Sequence, residues 1–318
     1  MRTWTRLRPR NSVVLPVLPA GASPTVILPS PLHRLTTLFQ GGAIEQLAPD
    51  VLRAAGVGGR EHRLFISYRR DDAQELAEEL HDELTHRGFH VFLDRFRGIA
   101  GTPFPQQLQR ELADKGVVLV IESPLIRKSR WTLREVSMAR AMRLGLLALG
   151  LPRAPRFAAI PPIDRIEPMW PADWKTAPSG RLVLTPPALQ SVVEFVRSRY
   201  AVHGLQRQLY LENLLHGALA PHNLAASYAG SGAFSVAAKA DYLVQLSPRL
   251  PELAELRQAA IKARSSNASA VVVGASRLLA PEDAEDLHWT AAELQVVMRP
   301  ERALRRLAKS MARGQVPP

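Results

Sequence analysis

The chain has 318 residues, no cysteine and a formal net charge of +12 at pH 7. That length suits one medium domain with one or two smaller ones, and the lack of cysteine excludes disulfides, thiolate metal sites and cysteine nucleophiles. The basic residues are dispersed and rarely interleaved with aromatic ones, which favours a solvated basic surface over nucleic-acid binding. Pro16 and Pro19 interrupt the apolar run near the N-terminus, and no run reaches the roughly 18 residues that span a bilayer. We therefore expect no secretion signal, no membrane partner and a cytoplasmic location.

Residues 1–60 are predicted to form an N-terminal extension. Val13 to Leu18 and Thr25 to Leu28 are short runs bounded by prolines, which confines them to edge strands or extended packing. Ile44 to Ala55 is predicted to be a short helix. The extension is interpreted as an accessory layer on a neighbouring domain, with a partner-docking arm as the alternative.

Strands and helices are predicted to alternate between residues 61 and 200, which indicates a doubly wound parallel sheet. The apolar run that ends at Ile66 indicates a buried strand, and Ser67, Tyr68, Arg69 and Arg70 follow it at the end where open parallel sheets bind ligands. Four further strands are predicted at Phe89 to Leu93, Gly116 to Ile121, Leu144 to Leu149 and Arg181 to Leu184. The proline-rich segment 151–180 is predicted to be a long crossover loop, with helices at Leu133 to Arg143 and Pro187 to Tyr200.

Five motifs carry a family resemblance: Phe-Ile-Ser-Tyr-Arg-Arg (65–70), Gly-Phe-His-Val-Phe-Leu-Asp (88–94), Ala-Gly-Thr-Pro-Phe (100–104), Leu-Val-Ile-Glu-Ser-Pro (119–124) and Ser-x-Trp-x-x-x-Glu (129–135). Their order and spacing resemble those of a TIR (Toll/interleukin-1 receptor) domain over residues 61–200. The resemblance implies a flavodoxin-like, five-stranded parallel sheet in the order 2-1-3-4-5. In that order Tyr68 to Arg70 and Ser123 should face one crevice.

Some TIR domains cleave NAD+ at the nicotinamide–ribose bond. This chain resembles them in that Glu135 stands where they carry a glutamate. Trp131 lies four residues before Glu135, so the two share a face if both lie on one helix. Departure of nicotinamide develops positive charge on the ribose, which a carboxylate stabilises. The resemblance thus implies that Glu135 is catalytic, whereas its position alone favours the alternative, a first-turn glutamate that the helix dipole stabilises.

The other candidate site residues are substrate-binding ones. Arg69 or Arg70 is expected to contact the pyrophosphate or ribose of NAD+, against the alternative of a surface pair neutralised by Asp71 and Asp72. Tyr68 and Phe104 are candidates for stacking on nicotinamide or adenine, and the alternative for both is packing in the core. Ser123 and Trp131 are the remaining candidates for substrate binding. No metal site and no cofactor is predicted, since NAD+ is the substrate.

Residues 201–318 are predicted to form a smaller α/β domain, in which we recognise no family. Gln206 to Leu219 is a helical linker candidate, Ala225 to Gly232 a small-residue hinge, and Arg299 to Arg313 a basic amphipathic helix. Strands are expected at Phe234 to Val236, Tyr242 to Leu246 and Ser269 to Val273, with helices at Pro251 to Arg264 and Pro281 to Ala292.

The leading hypothesis is an NAD+ hydrolase or ADP-ribosyl cyclase, and the resemblance implies a role in bacterial antiphage defence. The loop Arg95 to Phe104 resembles the one through which TIR domains touch a neighbouring copy, so self-assembly is expected to activate the enzyme. A defence-system partner or a trigger ligand is assigned to the C-terminal domain. The rival hypothesis is a noncatalytic adaptor that only mediates TIR–TIR contacts.

Overall fold

The computed structural model describes residues 16–19, 21–28, 38–40, 62–93, 104–275 and 281–315. Near the N-terminus Val17–Pro19 pairs in parallel with Leu38–Gln40. Thr25 to Leu28 was expected to be extended, but Pro24–Ile27 forms one helical turn, because proline at the first helical position is already set for helix. The helix predicted at Ile44 to Ala55 and residues 95–103 of the predicted loop lie outside the described residues.

A five-stranded parallel sheet organises the region from residue 62 to residue 166. The strands lie side by side in the order 2-1-3-4-5, as the resemblance implied. In chain order they are β1 (His62–Ser67), β2 (Phe89–Leu93), β3 (Val117–Glu122), β4 (Gly145–Gly150) and β5 (Arg165–Ile166). Every pairing in this sheet is parallel, so the carboxyl ends of the strands meet along one edge.

Four helices cover the two faces of this sheet: α1 (Arg70–His86), α2 (Phe104–Ala113), α3 (Arg130–Ala141) and α4 (Pro186–Leu219). Alternate residues of β3 point to opposite faces: Leu119 packs into the core that α1 and α4 cover, whereas Val118 and Val120 pack into the core beneath α2 and α3. Burial on both faces explains why these strands are continuous apolar runs.

The predicted fifth strand, Arg181 to Leu184, is wrong as a member of this sheet. Instead β6 (Trp174–Thr176) and β7 (Leu182–Leu184) form an antiparallel hairpin of their own. The backbone of Leu182–Leu184 therefore pairs with a strand that is close in sequence and not with the parallel sheet. The outer position belongs to β5, which lies inside the predicted crossover loop. Arg165 holds it there through a buried ion pair with Glu122 at the end of β3.

A second, mixed sheet organises the region beyond α4. Its strands follow the chain in order: β8 (Ala226–Gly230), β9 (Ala233–Ala237), β10 (Asp241–Leu246), β11 (Ser269–Gly274) and β12 (Val296–Pro300). The first three are antiparallel and the last two are added in parallel. The C-terminal half of α4 and α7 (Leu304–Arg313) pack on one face, and α5 (Leu253–Ser265) and α6 (Pro281–Glu293) pack on the other.

Two predictions for this region are wrong. The segment Ala225 to Gly232 is not a hinge, because β8 pairs with β9 across a tight turn in which Gly230 and Gly232 have positive φ. The segment Arg299 to Arg313 is not one helix, because Arg299 belongs to β12 and α7 begins only at Leu304.

Helix α4 belongs to both regions. Its first half buries Val192 and Val196 against the parallel sheet, and its second half buries Leu211 and Leu215 against the mixed sheet. The predicted end at Tyr200 is therefore wrong, because apolar residues continue at helical spacing on a face that the second sheet buries. Within the described residues no helix, α4 included, is both long and apolar enough to cross a membrane.

Candidate active site

The start of α3 fixes the direction in which Glu135 points. Ser129 caps the helix, since its Oγ accepts a hydrogen bond from the backbone N–H of Thr132 at 3.2 Å and another from the Thr132 hydroxyl at 3.1 Å. With the helix begun at this residue, Thr132, Glu135 and Val136 form its buried face. The Ser-x-Trp-x-x-x-Glu motif is thus a cap followed by a helix whose buried face includes the glutamate.

Glu135 is buried between α3 and the parallel sheet, with only 2% of the residue exposed. Helix α3 contacts both β1 and β3, and the hydroxyl of Ser67, the last residue of β1, donates a hydrogen bond to Glu135 Oε2. Removing a carboxylate from water is costly unless donors compensate. Ser67 supplies one such donor and holds Glu135 at the carboxyl end of β1.

A second polar network joins the ends of β1 and β3 to the start of α1. Asp72 accepts hydrogen bonds from the Ser123 hydroxyl at 2.6 Å, from the Leu125 N–H at 3.3 Å and from Arg69 Nη1 at 2.7 Å. Arg69 Nη2 also donates to Asp71 at 2.6 Å. Arg69 and Ser123 therefore lie close together, as expected, because both donate to Asp72, but their donors are directed at carboxylates of the protein.

The other predicted substrate-binding residues are Tyr68, Arg70, Trp131 and Phe104. Tyr68 is buried and packs into the core beneath α1, which is the alternative foreseen for it. Arg70 is half-buried at the first residue of α1, and Trp131 is half-buried one turn before Glu135 on α3. Phe104 begins α2, but its side chain lies outside the described residues. Neither Arg69 nor Tyr68 presents the free group that a ligand role would use in this conformation.

Ser67 contacts Glu135 but was not among the residues predicted to form the site. Its place in the Phe-Ile-Ser-Tyr motif, at the carboxyl end of a predicted strand, is the feature of the sequence that could have identified it. Its partner is 68 positions away, so the contact depends on how α3 packs across the sheet. Among the described residues, no group of three histidine, aspartate or glutamate side chains could hold a metal ion.

Comparison with known families matches the TIR domain to residues 64–175. This chain contains a TIR domain. The match runs from β1 to β6 and includes Ser67, Ser123 and Glu135. No curated protein matches the chain.

Two examples of solved structures with weak likeness to this chain follow. One is the structure of the TIR domains of the activated Roq1 resistosome directly recognizing the pathogen effector XopQ, with 20% identity over 28% of this chain and 57% of that chain and a TM-score of 0.26. The other is a histidinol-phosphate aminotransferase from Sinorhizobium meliloti in complex with pyridoxal-5'-phosphate, with 13% identity over 85% of this chain and 76% of that chain and a TM-score of 0.17. Because both TM-scores are low, the identification rests on the family match.

Proposed function

We propose that this TIR protein cleaves the nicotinamide–ribose bond of NAD+, as a hydrolase or a cyclase, and that Glu135 is its catalytic residue. The observation that carries the proposal is the placement of Glu135, on the buried face of α3 beside the end of β1. Parallel sheets bind ligands at this edge. A carboxylate in a dry site stabilises the positive charge that develops on the ribose as nicotinamide leaves.

The proposed reaction needs one carboxylate because nicotinamide leaves as a neutral molecule from a cationic ring and takes no proton. Glu135 stabilises the ribosyl cation or holds its hydroxyls, and Ser67 orients the carboxylate. Water then attacks the ribose in the hydrolase, whereas a nucleophile within the ADP-ribose attacks it in the cyclase. A bacterial antiphage role, by NAD+ depletion or a nucleotide signal, belongs to the same proposal.

The burial of Glu135 adds an opening step to the proposal. A residue that is only 2% exposed meets substrate after the groups that cover it move. We assign that step to self-association through the loop Arg95 to Phe104, where a neighbouring copy would complete the site. Repulsion between chains of net charge +12 opposes assembly, so a trigger or a high concentration is required.

The same burial favours the alternative, a TIR adaptor without catalysis. In an adaptor Glu135 would only anchor α3 to β1 through Ser67. The two functions differ in what Glu135→Gln does, because glutamine keeps the shape and still accepts a hydrogen bond from Ser67 but lacks the charge. An adaptor would keep its function in this variant, and the enzyme would not.

The deciding experiment follows nicotinamide release from NAD+ over a range of protein concentrations. We expect specific activity to rise with concentration, Glu135→Gln to lower it by about a hundredfold or more, and Gly101→Glu in the loop to suppress activity and assembly together. Arg134→Gln, at an exposed position of the same helix, serves as the matched control. Absence of nicotinamide release from assembled wild-type protein, or full activity in folded Glu135→Gln, would reject the catalytic proposal.

A further inference from the structure

A cavity of about 250 Å³ lies between the TIR domain and the C-terminal region. Its walls come from three places: the amino ends of β3 and β4, the middle of α4 and the segment after β10. Because Ser67 and Glu135 lie at the carboxyl end of β1, the cavity is at the opposite edge of the parallel sheet. The lining residues that matter for recognition are Arg143, His203, Arg207, Tyr210 and Arg249.

The polar lining of this cavity is basic. Arg143, Arg207 and Arg249 reach it from three different elements, and none of the described residues that line it is acidic. Arg143 and Arg207 both lie over the ring of Tyr210, at 4.8 and 5.1 Å from its centre. Like charges that line one cavity raise its positive potential. An anion in the cavity would offset that charge.

The carboxylates that pair with these arginines do not line the cavity. Arg207 binds Glu301 and Arg249 binds Glu252, and neither acid is among the lining residues. Arg143 makes no ion pair with a described carboxylate, and its described contact is the ring of Tyr210. Of the three arginines that line the cavity, Arg143 is therefore the one whose charge no described carboxylate neutralises.

Arg249 provides an independent sign of a ligand. The residue is only 4% exposed, and its Nε is buried without a hydrogen-bond partner among the described residues. A buried donor that makes no hydrogen bond costs free energy, and the loss is larger on a charged group. An anionic oxygen in the cavity that Arg249 lines would satisfy this donor.

We propose that this cavity binds a small ligand through a phosphate group. Three guanidinium groups that converge from different directions suit a doubly charged anion with several acceptor oxygens better than a flat carboxylate. The ligand would contact the TIR domain through Arg143, the connecting helix through Arg207 and the C-terminal region through Arg249. It would thus stabilise the packing of the two regions on each other, independently of NAD+ cleavage.

The test is isothermal titration calorimetry of the full chain with inorganic phosphate and with AMP, in separate titrations at constant ionic strength. We expect one-to-one binding, and Arg143→Gln should weaken it by about tenfold because one charged hydrogen-bond donor is lost. Arg140→Gln removes the same charge from an exposed position of α3 outside the cavity and should leave binding unchanged. Arg249→Lys keeps the charge but removes Nε, so it should also weaken binding.

The two probes distinguish the sources of the phosphate. Tighter binding of AMP than of phosphate indicates a nucleotide, and equal binding indicates free phosphate; either result supports the site if Arg143→Gln weakens it. Binding of neither probe would overturn the proposal. Equal effects of Arg143→Gln and Arg140→Gln, in variants whose circular dichroism matches wild type, would also overturn it, since they would indicate general charge attraction.

Discussion

Ser67 sets the position of the Glu135 carboxylate. A hydrogen bond to a charged group contributes about 1.5–3 kcal/mol, so under the proposed enzymatic function Ser67→Ala should lower kcat by about tenfold or more, with a smaller change in KM. Ser67→Thr retains the hydroxyl and should restore much of the rate. Nicotinamide release under saturating and limiting NAD+ separates the two constants.

Ser137→Ala is the matched control for this prediction. Ser137 lies on the same helix but is exposed, and its hydroxyl donates to the Leu133 carbonyl of its own helix at 2.8 Å. It should keep the wild-type kcat. An unchanged kcat in a folded Ser67→Ala protein would show that Glu135 does not depend on this contact.

His203 makes stability depend on pH. Burial lowers the pKa of His203, and this effect exceeds the opposing attraction of Asp164, whose Oδ1 lies 3.1 Å from Nε2. The unfolded chain therefore binds a proton on this residue more readily than the folded one. The unfolding free energy should fall as pH drops below the unfolded pKa of about 6.5, with no contribution from this residue above it.

Urea unfolding of wild type and His203→Gln at about pH 7.5 and about pH 5.5 measures this effect. The wild type should lose more stability on acidification than His203→Gln does. His288→Gln, at an exposed position of α6, should lose as much as wild type. If wild type and His203→Gln lose the same unfolding free energy on acidification, the acid sensitivity arises from other groups.

At the scale of elements, the Glu122–Arg165 pair holds the proline-rich segment on the sheet. Arg165 donates to both carboxylate oxygens of Glu122, at 2.8 and 3.0 Å, and also to the carbonyls of Phe157 and Ile160. These hydrogen bonds to Glu122 raise the pKa of Arg165. Arg165→Ala would leave a buried carboxylate without its counter-charge, and we expect it to lower the unfolding free energy by about 3–5 kcal/mol.

Arg156→Ala tests whether burial is the cause. Arg156 also binds a carboxylate through two hydrogen bonds, but its partner Glu167 and its own side chain are exposed. Its removal should change the unfolding free energy by less than about 1 kcal/mol. Urea midpoints at an unchanged slope give both values, and equal losses would contradict the prediction.

The elements that could be predicted are those specified by local pattern. The strands β2, β3 and β4 were predicted to within a residue because burial on both faces produces continuous apolar runs. The two-residue strand β5 has no such run, since it is held by a partner 43 positions away. The same limit applies to the candidate site. The motif around Ser129 predicted that a helix carries Glu135, although this helix begins at Arg130 and not at Leu133, whereas the contact of Ser67 depends on packing across the sheet.

For the whole molecule, α4 joins the two regions more firmly than the predicted hinge would. Gly116, just before β3, has room only for hydrogen, since a Cβ there would lie 2.6 Å from the hydroxyl oxygen of Tyr200 on α4. Farther along the chain, Arg207 on α4 binds Glu301 after β12. The helix is therefore packed closely against both sheets, although the domain division at residue 201 itself stays a prediction.

We accordingly expect the TIR domain and the C-terminal region to unfold together. Limited digestion with proteinase K, a protease of broad specificity, should yield no protected fragment that ends between residues 225 and 232, because those residues lie in a paired strand and its turn. Calorimetric unfolding of the full chain should give one transition whose calorimetric and van't Hoff enthalpies agree. Gly116→Ala should lower the transition temperature because the new methyl displaces Tyr200. The control is Gly217→Ala, at an exposed position of α4 with nothing within 4 Å of the new Cβ, which should raise stability by roughly 0.5–1 kcal/mol. Two separate transitions, with only the first shifted by Gly116→Ala, would mean that α4 does not couple the two regions.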